Sequence, residues 1–212
     1  MMTREVETQF RENLERVRNL MKIYTKTSVA AGTGRRAVRS SDVLRAAVVL
    51  LHATLEDFMR TLSRHLLPTQ EEAVLNKIPL SGTADHGRPE KFSLGKLAQF
   101  RGMTVDTVLA KSVEDFLERS NYNKPDDLAS ALVDMQLDKS KVDSLFSDLE
   151  GLMTRRHWIV HRADRNDKKG SGHHQAKSIG TERVARWVTS VEDFAAEVLK
   201  QLSERGAKPD TH

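Results

Sequence analysis

The ten residues RRHWIVHRAD, 155–164, hold three arginines and two histidines around the apolar triplet Trp158, Ile159 and Val160. Arginine has the planar donor fork best suited to holding a phosphate. Histidine gains and loses a proton near neutral pH and serves as general base or acid. One of each is enough to cleave RNA. The histidine takes the proton of the ribose 2′-hydroxyl or gives one to the leaving oxygen, and the arginine steadies the charge growing on the phosphate. The ribose supplies the nucleophile, so this chemistry requires no metal.

Helical spacing separates the arginines. Leu149, Leu152 and Met153 form an apolar stripe that continues to Arg156 and Val160. Arg156 is therefore expected on the core face, and Arg155 is expected to point away. A guanidinium aimed at a core is costly unless a carboxylate or an anionic ligand answers it. Glu56 is the candidate carboxylate for an internal ion pair. His161 follows Arg156 by five residues, about 140° of rotation on a straight helix, so the two side chains should diverge. They meet if the helix ends or bends between them, or if a second copy supplies the partner.

The bare spacing of an arginine and a histidine is a weak signal. Within a range of four to six intervening residues, Arg60 with His65 (four) and Arg45 with His52 (six) also match inside another helical segment, where both look accidental. His157 and His161 also form an H-x-x-x-H pair, about 40° apart on a helix, which is metal-ligand spacing. Trp158 stands where a zinc protease carries its glutamate. The remaining ligand candidates, His173 and His174, lie in a polar loop, and no metal or other cofactor is expected.

These residues need elements to position them, and the pattern along the chain is helical. Val6, Phe10, Leu14, Val17, Met21 and Tyr24 make one long stripe that ends near AAGTGRR, a basic connector with Arg35, Arg36 and Arg39. Ser40 or Ser41 is expected to cap a second long helix, whose stripe runs from Leu44 to Leu66 before Pro68 stops it. A short piece, QEEAVLNKI, precedes the turn-rich loop PLSGTADHGRPEKFS. Two short helices are expected between Leu94 and Ser120, and another after Pro125, which suits a first helical position. The segment that carries the motif is expected to start at Ser140. DRNDKKGSGHHQAKSIG reads as a loop, in which Lys168 and Lys169 are a solvated charge run or a track for an RNA backbone. Thr181 and Glu182 open the last helix, with Trp187 on its stripe. No internal repeat is visible.

The 212 residues suffice for one core, with 38% hydrophobic and 30% charged residues. The expected architecture is a single all-α domain over 1–203, with a disordered tail at 204–212. No apolar run is long enough to span a membrane, and the charged start MMTREVETQF has no signal-peptide core. The chain has no cysteine, which fits a reducing cytoplasm and excludes disulfides and thiolate metal sites. A net charge of +4 permits a nucleic-acid partner without demanding one.

RRHWIVHRAD resembles the signature of HEPN domains, in which an arginine is followed by a polar residue, a short spacer and a histidine. Here those are Arg156, His157 and His161, followed by Arg162. The similarity is greatest to the RiboL-PSP-HEPN group. It extends to KIPLSGTADHGRPEKFSLGKLAQFRG, to the stretch from SNYNKPDD to the motif, and to the acidic position in LLHATLEDFMRTL, about residues 5 to 203 in all. The resemblance implies a bundle of about four long helices, with short helices in an extended insertion. It implies a homodimer whose two motifs share a cleft, and a metal-independent endoribonuclease leaving 2′,3′-cyclic phosphate ends. Arg156 and His161 would be catalytic. His157, Arg162 and Arg155 would bind substrate, and Glu56 would support the site. The partners implied are RNA and an antitoxin or another protein of a prokaryotic defence system. Some HEPN domains are instead non-catalytic modules that bind RNA or a partner protein.

Overall fold

The computed structural model describes residues 2–30, 38–82, 94–166 and 176–206. The connector arginines Arg35 and Arg36, the loop residues Lys168, Lys169, His173 and His174, and the tail from 207 lie outside the described residues. Seven α-helices occur among those described: α1 (Met2–Ala30), α2 (Val38–Leu66), α3 (Glu72–Leu75), α4 (Val105–Arg119), α5 (Pro125–Asp134), α6 (Phe146–Arg162) and α7 (Thr181–Gly206). Short 3-10 turns cover Leu67–Thr69, Leu94–Phe100, Lys139–Lys141 and Asp143–Leu145.

α1 and α2 are each 29 residues long and pack along one another. Their stripes interlock at the predicted positions, with Phe10 against Phe58 at 5.1 Å between ring centres. α2 is the central element, touching α1, α4, α5, α6 and α7. This follows from its composition, since Leu44, Val48, Leu51, Leu55, Phe58 and Leu62 are all buried. α7 closes the bundle with Val184, Val191, Phe194 and Val198 facing in. Polar links fix the packing. Asp57 on α2 accepts from Gln9 and Asn13 on α1, and Arg18 on α1 pairs with Glu192 on α7 at 2.6 Å.

The smaller elements follow local rules. Pro125 opens α5, and Asp127 accepts from the backbone of Asn123 and Lys124. Pro68 converts the end of α2 into a 3-10 turn. Arg60 donates from α2 to the carbonyls of Leu117 and Ser120 at the end of α4, so this arginine has a structural role.

Three expected boundaries move. α2 begins at Val38, ahead of Ser40 and Ser41, and Ser41 instead accepts from Arg45. Ser140 does not start the motif helix. Its N–H is taken by Asp138, giving a 3-10 turn, and α6 begins at Phe146. α7 runs through Gly206, beyond the expected limit at 203.

Leu55 on the central helix is fully buried, whereas Ile23 on α1 is exposed. Leu55→Ala is expected to lose about 2–5 kcal/mol of unfolding free energy, and Ile23→Ala less than about 0.5 kcal/mol, by chemical denaturation.

Candidate functional site

α6 is unbroken from Phe146 to Arg162, with His161 in its last turn. No bend brings Arg156 and His161 together, so within one chain they remain about 140° apart. His157 and His161 do meet. Both are exposed, on one flank, with ring centres 4.7 Å apart. Arg156 is half-buried and donates to Asn123 Oδ1 at 3.4 Å, in the turn between α4 and α5. Among the described residues no carboxylate pairs with it. His157, Asn123, Phe146 and Thr154 line a cleft of about 600 Å³ between α6 and the start of α5. Val160, between Arg156 and the histidines, is 48% exposed.

The expected roles of Arg155 and Arg156 in packing are reversed. Arg155 does not point away. It turns back to Asp164 Oδ2 at 2.7 Å, and also donates to the carbonyls of Lys177 and Ser178. Arg45 on α2 reaches the same carboxylate oxygen at 2.8 Å and also donates to Lys177 O. The Asp164 side chain is 0% exposed, and those of Arg45 and Arg155 are 10% and 14%. Burial pulls the pKa of Arg155 below the usual guanidinium value, and the nearby Arg45 and Arg183 add to this, while Asp164 opposes it.

Local backbone makes the clamp possible. Ala163 and Asp164 both have left-handed φ, at 48° and 55°. The N–H of Asp164 closes on Trp158 O at 3.0 Å, which ends α6 and swings the carboxylate inward. Lys177 N–H then donates to Asp164 O at 2.8 Å, beside an isolated bridge between Arg165 and Ala176. Arg165 and the segment from Ala176 are thus held together at the end of α6.

The expected ion pair of Glu56 with Arg156 does not form. Glu56 accepts from the Tyr122 N–H at 3.3 Å and stands 3.6 Å from His52 Nδ1. His52 is buried, and its Nε2 bonds Tyr122 O at 3.1 Å. Desolvation lowers its pKa. Glu56 opposes that shift and the Arg156 cation adds to it, which links this core cluster to the motif arginine. Glu56 holds the turn that carries Asn123, so it reaches Arg156 through that turn.

Arg162 lies over the Trp158 ring at 4.4 Å, and Lys177 Nζ lies over the same ring at 3.4 Å. Among the described residues no group of three or more histidine, aspartate or glutamate side chains could hold a metal. No described helix is long and apolar enough to cross a membrane.

Sequence reasoning missed Asp164, Asn123 and His52. Asp164 was visible as the last letter of the motif stretch, an acid just beyond a helix end, where aspartate tolerates left-handed backbone.

Asp164→Ala leaves two buried guanidiniums without their counter-charge, and is expected to lose about 3–5 kcal/mol of unfolding free energy. Glu7→Ala, which breaks an exposed pair with Arg11, is expected to lose less than about 1 kcal/mol. The lowered pKa of His52 makes its contribution complete above its unfolded value, near 6.5, and lost as pH falls through that value toward the folded one. Urea unfolding between pH 7.5 and pH 5, as roughly chosen limits around that value, should therefore show less acid destabilisation in His52→Gln than in the wild type.

A family model described as RiboL-PSP-HEPN matches residues 11–204. Neither the curated proteins nor the solved structures gave a match. The matched span takes in most of α1, the whole of α2 to α6, and α7 as far as Glu204, including the Arg156–His161 motif and its clamp. On that match and the all-α bundle, the chain belongs to the RiboL-PSP-HEPN family and has the build of a HEPN nuclease-like module.

Proposed function

We propose that the protein is a metal-independent endoribonuclease whose site is composed from two copies of α6, Arg156 of one copy acting with His161 of the other. One observation carries the reading. Arg156 donates to Asn123 and has no carboxylate partner among the described residues, on the same rigid helix as two exposed histidines, of which it cannot itself meet His161. A second copy would bring the pair together and cover Val160. A two-fold interface forms two such sites at once.

The chemistry follows from the side chains. An imidazole removes the 2′-hydroxyl proton, the 2′-oxygen attacks phosphorus, and the bond to the 5′-oxygen breaks. A second imidazole protonates that leaving oxygen. Arg156 donates to the non-bridging phosphate oxygens as their charge grows. The products are a 2′,3′-cyclic phosphate and a 5′-hydroxyl. His157, beside His161, orients the phosphate or supplies the second proton. Arg162 and Arg155 lie on the flank along which the substrate would leave. The proposed setting is the cytoplasm of a prokaryote, in a defence or toxin–antitoxin system whose partner protein is encoded separately.

Wild-type protein should cleave total RNA in EDTA and leave cyclic-phosphate ends. His161→Ala and Arg156→Ala should each lower the rate about 100-fold or more with the fold intact. Mixing the two inactive variants tests the composite site directly. Half of the dimers would then be mixed, each with one of its two sites complete, restoring roughly a quarter of wild-type activity. No recovery on mixing would refute the two-copy site. Absence of turnover on any RNA would leave a binding module in place of an enzyme.

A further inference from the structure

The far flank of α6 carries a second cleft, which the Arg156–His161 chemistry does not use. It lies between α6 and α7 and has a volume of about 420 Å³, within the range of small-ligand pockets. Both tryptophans of the chain, Trp158 and Trp187, line it, together with Lys177, Arg183 and Arg155. Glu150 is the one carboxylate among its described lining residues.

We propose that this cleft binds one nucleotide unit of a single-stranded RNA that continues from the α6 histidines. The proposal rests on the ribonuclease reading above and adds a substrate subsite to it. Two cations in the cleft are not neutralised. Lys177 Nζ is held over the Trp158 ring and Arg183 is exposed at the start of α7, and among the described residues neither has a carboxylate partner. An ammonium held by a π-face keeps its N–H donors for a phosphate.

A second, independent observation concerns Trp187. It is 4% exposed overall, and its indole nitrogen is not among the buried polar atoms that lack a partner. Its edge lies against Gly151, where an added Cβ would come within 3.2 Å of Nε1. An indole N–H in the wall of an open cleft is a donor suited to an acceptor on a ligand.

The path is continuous. Thr154 and Glu150 line both this cleft and the one beside His157, so the two grooves share the exposed ridge of α6. Trp158 precedes His161 by three residues, less than one helical turn. A strand crossing the histidines therefore reaches Trp158 directly. A recess between two helices takes an unstacked nucleotide, which a paired duplex does not offer.

The test uses the full chain and a short mixed-sequence RNA with 2′-O-methyl groups, which lacks the attacking hydroxyl. Both tryptophans line the cleft, so intrinsic tryptophan fluorescence of a Trp158→Phe variant, which leaves Trp187 alone on α7, reports on the wall of the cleft away from the histidines. It should change saturably with the same midpoint as the anisotropy of dye-labelled oligonucleotide. Arg183→Glu, verified as folded by circular dichroism, should weaken binding about tenfold and reduce the slope of log K against log salt by about one phosphate contact. Cleavage of unmodified RNA is measured in parallel. If wild type cleaves RNA, but binding leaves tryptophan fluorescence unchanged and Arg183→Glu binds like wild type, the subsite is overturned and the ribonuclease reading stands. If Arg183→Glu alters only the oligomeric state, the cleft belongs to a second copy, and the subsite is again overturned. If wild type neither binds nor cleaves RNA, both readings fall.

Discussion

A carboxylate with no solvent exposure, held between Arg45 and Arg155, ties the end of α6 to the centre of the bundle. Burying one acid and two guanidiniums is favourable only where the geometry is tight and further acceptors share the load. Here the carbonyl of Lys177 accepts from both arginines and that of Ser178 from one. Two successive left-handed residues, Ala163 and Asp164, are needed to deliver the carboxylate, and such backbone persists only where its surroundings over-determine it. The clamp therefore determines three things together: where α6 stops, where the segment returning to α7 begins, and that His161 lies in an exposed last turn.

The helices and several of their ends were legible in the sequence, because burial and turn chemistry act locally. The stripes of α1, α2 and α7 fall where three- and four-residue spacing puts them, and Pro68, Pro125 and Thr181 mark boundaries that the fold respects. The site was legible in its residue types but not in its contacts. The buried stripe ends at Met153, and periodicity carried it too far, to a half-buried Arg156 and an exposed Val160; a stripe also says nothing about what stands opposite its end. Opposite Arg156 is the neutral side chain of Asn123, on a turn that Glu56 braces. Arg155 lies off the stripe and is nevertheless the better buried, because the chain reverses and brings Asp164 back to it. That reversal depends on two φ angles and a partner 119 positions away on α2, and no local pattern encodes either.

The same limit explains Arg45 and His52, whose spacing imitates the motif. Both lie on the buried side of α2, where Arg45 completes the clamp and His52 bonds the carbonyl of Tyr122. An arginine followed by a histidine within a few residues thus has opposite fates in one chain. One pair is consumed by the fold. The other, Arg156 with His161, has no carboxylate partner for its guanidinium among the described residues and an exposed imidazole.

A straight helix is a poor device for bringing Arg156 and His161 together and a good one for holding each of them still. Placing both on α6 secures orientation, since a rigid element loses little conformational freedom when substrate arrives. The cost is divergence, with the guanidinium toward the Asn123 turn and the imidazoles toward solvent. A flexible hinge between the two would close that gap but sacrifice the orientation. The proposed two-copy site avoids the compromise, because symmetry supplies the missing group from an equally rigid helix. On this argument the clamp matters beyond stability. Any loosening of the Arg45–Asp164–Arg155 contact would let the last turn of α6 fray, and His161 would lose the fixed geometry that a site shared between two copies requires.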